Sequence, residues 1–279
     1  MKRFINVFTI IIFSIITLYL TMASFNQGVQ IYKGVERIVL KARGEYNDLP
    51  YTSKLNIGSS KKLLGKCLFV TIFLSDVESE FEPLCREFNL RRLDECFDFL
   101  TKEASRYDRE FQPVYKDDNL IFDIKVDFNV PTDFNDHKWV RNLMSAIKNQ
   151  IDLNGILSLY EVDNVSYIYI VDKPGRSFAM PWYPKAESEI EEMTVIYGRG
   201  QTGNLEVSGV YAHEILHLFG AIDLYDFEDE RKELVELYLP GDIMNSSRVS
   251  DMNVSELDAY LIGWVDELDK KYHIFLEEK

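Results

Sequence analysis

The chain has 279 residues, 46% hydrophobic and 28% charged, a balance that fits a globular protein with one large domain. Its formal net charge is -15 at pH 7. Such an acidic balance argues against a nucleic-acid partner, whose phosphates demand clustered Lys and Arg.

The first 23 residues read as a targeting segment. Lys2 and Arg3 precede an apolar run over residues 4–22, the layout of a secretory signal peptide, with Thr21-Met22-Ala23 as a cleavage site. The run is also nearly long enough to span a bilayer uncleaved. The expectation is an exported domain, either secreted or anchored by residues 4–22 at the outer face of the cytoplasmic membrane. Residues 24–65 read as an arm or linker, with a strand over 31–40, ahead of one domain over 66–279. Cys67, Cys85 and Cys96 are odd in number, so they cannot all pair internally, and they are expected as buried thiols.

Residues 67–74 form a continuous apolar, β-rich run, expected as a buried strand. From Phe81 to Phe111 apolar residues recur at helical spacing (Leu84, Phe88, Leu93, Phe97, Leu100, Ala104, Tyr107), predicting one long helix with Arg109 on its outer face. Residues 120–130 alternate, with Phe122, Ile124, Val126 and Phe128 inward, and Pro131 stops that strand. Asp133 is placed to cap a second helix that runs to Ile151 and turns Trp139, Leu143, Ile147 and Ile151 inward. Residues 165–171 are a further strand, ended by Asp172-Lys173-Pro174-Gly175. Residues 176–184, rich in aromatics and prolines, permit at most an edge strand. Residues 193–197 are the last strand, and 198–204 a loop.

Residues 211–226 carry the chemistry. His213 and His217 stand four apart, which on a helix puts both imidazoles on one face. Two converging neutral imidazoles make a divalent-metal site, with zinc the usual occupant. Glu214 is placed to take a proton from water as general base. A catalytic zinc takes three protein ligands. Gly220 can end the helix in the left-handed conformation, so that the chain folds back and brings Asp223 in as the third. Asp226 to Glu236 is strongly acidic and reads as a solvated helix face. A Ca2+ site there, or Glu233 or Glu236 as an alternative third ligand, are the competing readings. Residues 253–263 read as a final helix capped by Ser255 and ended by Gly263, with Leu257, Tyr260 and Leu261 toward the floor of the site and Trp264 beneath. His137 and His273 are lone and distant from the motif.

The stretch His213-Glu214-x-x-His217-x-x-Gly220-x-x-Asp223 resembles the active-site helix of zinc metallopeptidases of the metzincin kind. It is most similar to the branch with Asp as third ligand, the snapalysin-like and immune-inhibitor-A-like peptidases. Gly241-Asp242-Ile243-Met244-Asn245 resembles that family's methionine turn, with Met244 as its methionine. The resemblance implies an α+β zincin fold, with a twisted mixed sheet backed by helices and a cleft between residues 66–220 and a smaller lobe from 221 onward. It implies a zinc-dependent endopeptidase acting on peptide or protein substrates, and pairing of an extended substrate along residues 178–182. No tyrosine follows Met244 closely, which leaves the group that would stabilise the oxyanion unassigned. A catalytically silent zinc-binding surface domain and a hydrolase of a non-peptide amide are the alternatives compatible with the same motif.

Overall fold

The computed structural model describes residues 59–60, 62–132, 138–151, 155, 159–162, 164–181, 192–227, 230–247 and 251–276. The targeting segment, the arm strand, Asp133, His137 and residues 182–184 lie outside them. The described residues all fall within one compact unit, Lys54–Glu277. In chain order its elements are β1 (Gly65–Ser75), α1 (Pro83–Arg106), β2 (Phe111–Val114), β3 (Ile121–Lys125), α2 (Lys138–Gln150), β4 (Asn164–Gly175), β5 (Phe178–Met180), β6 (Met193–Gly200), α3 (Ser208–Leu218), α4 (Glu230–Tyr238) and α5 (Glu256–Leu261). Among the described residues, no helix is long and apolar enough to cross a membrane.

The strands form one mixed α/β sheet of six strands, mostly parallel. β2 and β3 share one edge of β1, pairing parallel with its first and second halves respectively. β4 lies on the other side of β1 and β6 beyond it, both parallel, and β5 closes the far edge antiparallel to β6. Helices cover both faces. Leu68, Val70, Ile72 and Leu74 join a core with Leu143 and Ile147 of α2 and Tyr169 and Val195 of the sheet. On the opposite face, the Phe69 ring lies 4.5 Å from Phe97 of α1 and 6.4 Å from Phe219, just past α3. A strand buried on both sides has no polar face to alternate, which is why β1 reads as an unbroken apolar run.

Four expectations need correction. The first helix ends at Arg106, not Phe111. Asp108 turns the chain with φ 53, and Phe111–Val114 leaves as β2, paired with Gly65–Leu68. Arg109 is therefore not on a helix face; it binds the Trp264 carbonyl and Asp266. β3 stops at Lys125, although Ile124 and Val126 are buried as the alternation predicts. β4 runs on through Asp172-Lys173-Pro174-Gly175 after a register shift, so these turn-forming residues form an irregular strand end rather than a loop. β6 likewise extends to Gly200. α2 starts at Lys138 within the described residues, with Trp139, Leu143 and Ile147 buried as expected.

The end of β4 is held by a buried ion pair. Lys173 Nζ lies 2.6 Å from Asp76 Oδ2 and 2.6 Å from Asn129 Oδ1. Burial alone would raise the Asp76 carboxyl. Lys173 and the backbone N–H groups of Val130 and Glu78 outweigh it and hold the group at about 2.

Candidate metal centre

α3 is buried nearly all round, with Gly209 to Leu216 and Leu218 inaccessible, as befits a helix running beneath the sheet. Its N-terminal half sits directly on the loop after Met244. A Cβ on Gly209 would stand 2.0 Å from the Ser247 carbonyl oxygen, so only glycine permits this approach. The helix ends in a Schellman motif: Ala221 N–H bonds the Leu216 carbonyl, Gly220 N–H bonds that of His217, and Gly220 takes φ 112. The reversal expected at Gly220 is thus present, and it delivers Asp223 to the histidines.

Asp223 Oδ1 lies 3.1 Å from Nε2 of His213 and 3.1 Å from Nε2 of His217, and the two Nε2 atoms are 3.2 Å apart. Each imidazole is oriented through its other nitrogen. His213 Nδ1 is 3.1 Å from the Ile243 carbonyl oxygen, and His217 Nδ1 is 2.9 Å from that of Ala221. A carbonyl oxygen only accepts, so both Nδ1 atoms carry the proton and, in the neutral rings, both Nε2 atoms present lone pairs. Three lone-pair atoms then face one another, an arrangement that calls for a cation. Tetrahedral zinc with bonds of about 2.0–2.1 Å holds its ligand atoms about 3.3 Å apart. The observed spacing, and a donor set of two imidazoles and a carboxylate, fit such an ion.

Glu214 offers a carboxylate oxygen within 4.8 Å of both imidazoles, farther out than Asp223. Burial pushes its carboxyl up, against the pull of His213 and His217. Asp223 is half-buried; burial raises its carboxyl, but the two adjoining imidazoles outweigh it and hold it well below the usual carboxylate range. Burial lowers His217, but Asp223 outweighs that and raises it. Glu233 and Glu236 are exposed on α4, and Glu236 accepts a hydrogen bond from Asn245. It is Asp223, not either of them, that reaches the histidines.

The turn at Met244 lies directly below. Its Ile243 carbonyl holds His213, and its Met244 carbonyl accepts from Leu224 N–H at 3.1 Å, so one turn fixes both a histidine and the Asp223 loop. The Met244 side chain is fully buried. Asp242 shapes the turn, accepting from Met244 N–H at 2.6 Å. Beneath it lies Asp258 of α5, and both carboxyls are 0% exposed. The two carboxyls act on one another by charge, and Asp242 Oδ2 and both Asp258 oxygens find no hydrogen-bond partner among the described residues. Burial, then the charge of Asp242, pushes the Asp258 carboxyl far up. α5 otherwise follows the sequence: Ser255 caps it through Asp258 N–H, Gly263 ends it at φ 87, and Trp264 is fully buried.

Two residues beside the centre escaped sequence reasoning. The Tyr225 ring stacks on His213 at 6.0 Å between centroids and 22° between planes. Burial, then the Asp223 charge, pushes its hydroxyl up to about 12, so it stays a proton donor at neutral pH. Arg176, from the β4–β5 turn, donates to that hydroxyl at 3.3 Å. The signal for Tyr225 was its position two residues after Asp223; Arg176 carried none.

No protein-family model matches the chain, and no curated protein matches it. Among solved structures, metalloproteinase-II from Bacteroides fragilis is similar over 74% of this chain and 55% of that one, at 11% identity and a TM-score of 0.40. The present chain thus spans about half the length of that protein.

Proposed function

We propose that this protein is a zinc-dependent peptidase, with His213, His217 and Asp223 as ligands and Glu214 as general base. The observation that carries the reading is the convergence of Asp223 Oδ1 and two Nε2 atoms at 3.1–3.2 Å, both imidazoles being fixed by backbone carbonyls. When bound there, zinc supplies Lewis acidity that makes water a nucleophile near neutral pH. Glu214 accepts the proton of the attacking water and passes it to the leaving amine nitrogen. Its burial supports this role, since a raised carboxyl pKa lies closer to the working pH. Tyr225, protonated and stacked on His213, is placed to donate to the developing oxyanion, the role left open in the sequence. β5 is a sheet edge three residues long, and an extended substrate is taken to pair with it. Export rests on Lys2, Arg3 and the apolar run that follows.

The test is zinc content together with cleavage of a mixed peptide library, for the wild type, Glu214→Gln and His217→Ala. One zinc per chain, hydrolysis, a loss of about 100-fold or more in Glu214→Gln with zinc retained, and zinc lost in His217→Ala are expected. Zinc binding without cleavage of any peptide would favour a binding domain or a non-peptide amide substrate instead. No zinc would remove the reading.

A further inference from the structure

The β4–β5 turn is clamped on both sides of a single exposed residue. Before it, Gly175 pairs with Gly200, and a Cβ there would stand 2.3 Å from the Tyr197 ring, so the backbone lies flat on that ring. After it, the buried Ser177 accepts from Tyr197 N–H through Oγ at 3.1 Å. The residue between is Arg176, whose own N–H reaches the Thr132 carbonyl at 3.3 Å. An arginine in a mobile loop would sample many directions; this one is mounted on a fixed backbone at the rim of the metal centre. Its side chain leaves the sheet and meets Tyr225, which belongs to the loop carrying Asp223. Its charge acts on both Glu214 and Asp223.

We propose that Arg176 is a positioning residue that spans from the sheet to the Asp223 loop and aims the Tyr225 hydroxyl over the metal centre. The inference rests on the zinc-peptidase reading and extends it to a residue outside the motif. The guanidinium can only donate, so it occupies a lone pair of the phenol oxygen and leaves the phenol proton for an acceptor on the other side. That acceptor is Asp223 in the resting protein, which is also the phenol's neighbour. A substrate oxygen gaining charge would take its place. The contact is open to water, Tyr225 being 41% exposed, so it adds little to stability. A bound peptide would cover it, and the same contact gains strength as water leaves.

The experiment uses full-length, zinc-loaded wild type, Arg176→Ala, Arg176→Lys, Tyr225→Phe and the Arg176→Ala/Tyr225→Phe double variant. Two quantities are read: kcat and KM on a cleaved peptide, and calorimetric affinity for a phosphinic tripeptide, whose tetrahedral anion mimics the charged intermediate state. Arg176→Ala is expected to lower kcat about tenfold with KM within twofold, and to weaken the phosphinate about as much. The double variant is expected to be no worse than Tyr225→Phe alone, and Arg176→Lys to recover part of the loss. Losses that multiply in the double variant would mean Arg176 acts independently of Tyr225, which overturns the proposal. So would a raised KM with kcat unchanged, the mark of a residue that binds substrate directly, or unaltered phosphinate affinity. If the wild type binds no zinc, the peptidase reading falls and this inference with it. If zinc and Glu214 dependence hold while Arg176→Ala behaves as wild type, the inference alone fails.

Discussion

Asp223 Oδ1 touches both imidazoles, and the amide of Asn would keep the shape while removing the charge. Asp223→Asn is therefore expected to leave the fold intact and to weaken zinc by at least about tenfold, as read by titration against a metal indicator. Unchanged affinity would exclude Asp223 as a ligand. Far from the centre, Asp76 and Lys173 make a different case. The Asp76 side chain is 0% exposed and its carboxyl is held at about 2, below its unfolded value of about 3.8. Its contribution is present above about pH 4 and is lost as pH falls through about 2. Asp76→Ala would leave the Lys173 charge buried without its carboxylate and should cost about 3–5 kcal/mol in denaturant unfolding.

Among elements, the seat of α3 on the loop after Met244 is the contact most sensitive to a single methyl. The atom that a Gly209 Cβ would meet is backbone, the Ser247 carbonyl oxygen, and cannot rotate away. Gly209→Ala should lower stability by about 1–3 kcal/mol and loosen zinc, because the segment it would displace lies four residues after the Ile243 carbonyl that orients His213; thermal unfolding and zinc titration measure the two effects. The helices and long strands were legible because burial imposes a period on them, as Leu93, Phe97 and Leu100 do for α1. β2 was not. It is four residues long, contains Pro113, and follows helical spacing so closely that only the left-handed Asp108 marks the break. The continuation of β4 was hidden for the opposite reason: Asp172-Lys173-Pro174-Gly175 has turn chemistry, and its strand conformation depends on pairing with Arg199 and Gly200. In the centre, the local part of the pattern could be read, since His213, His217, Gly220 and Asp223 lie within eleven residues. Arg176 could not, being 49 residues from Tyr225 and joined to it only by the fold.

For the whole molecule, the pair Asp242 and Asp258 ties the floor of the centre to proton concentration. Asp258 is raised far above its unfolded value, by burial first and Asp242 second, with Asp223 adding repulsion and no basic group opposing it. A carboxyl raised in this way contributes stability that is full below about pH 4 and declines as pH rises through its folded value. The melting temperature should therefore fall as pH rises above about 4, and Asp258→Asn, which removes the charge and supplies a donor to Asp242, should flatten that slope. A slope unaltered in Asp258→Asn would place the titration elsewhere.

The crowding of Asp223 Oδ1 and the two imidazole nitrogens has a consequence for how the protein would travel before it meets its metal. The fold holds three donor atoms within 3.1–3.2 Å of one another; without a metal, Asp223 favours a proton on His217, and a bound cation takes that proton's place. By mass action, each tenfold of free zinc above the dissociation constant adds about 1.4 kcal/mol to the folded state. Chelation should lower the melting temperature, and the midpoint should climb with the logarithm of added zinc. The ambient metal supply would then set the lifetime of the chain, and a zinc-poor compartment would expose it to proteolysis.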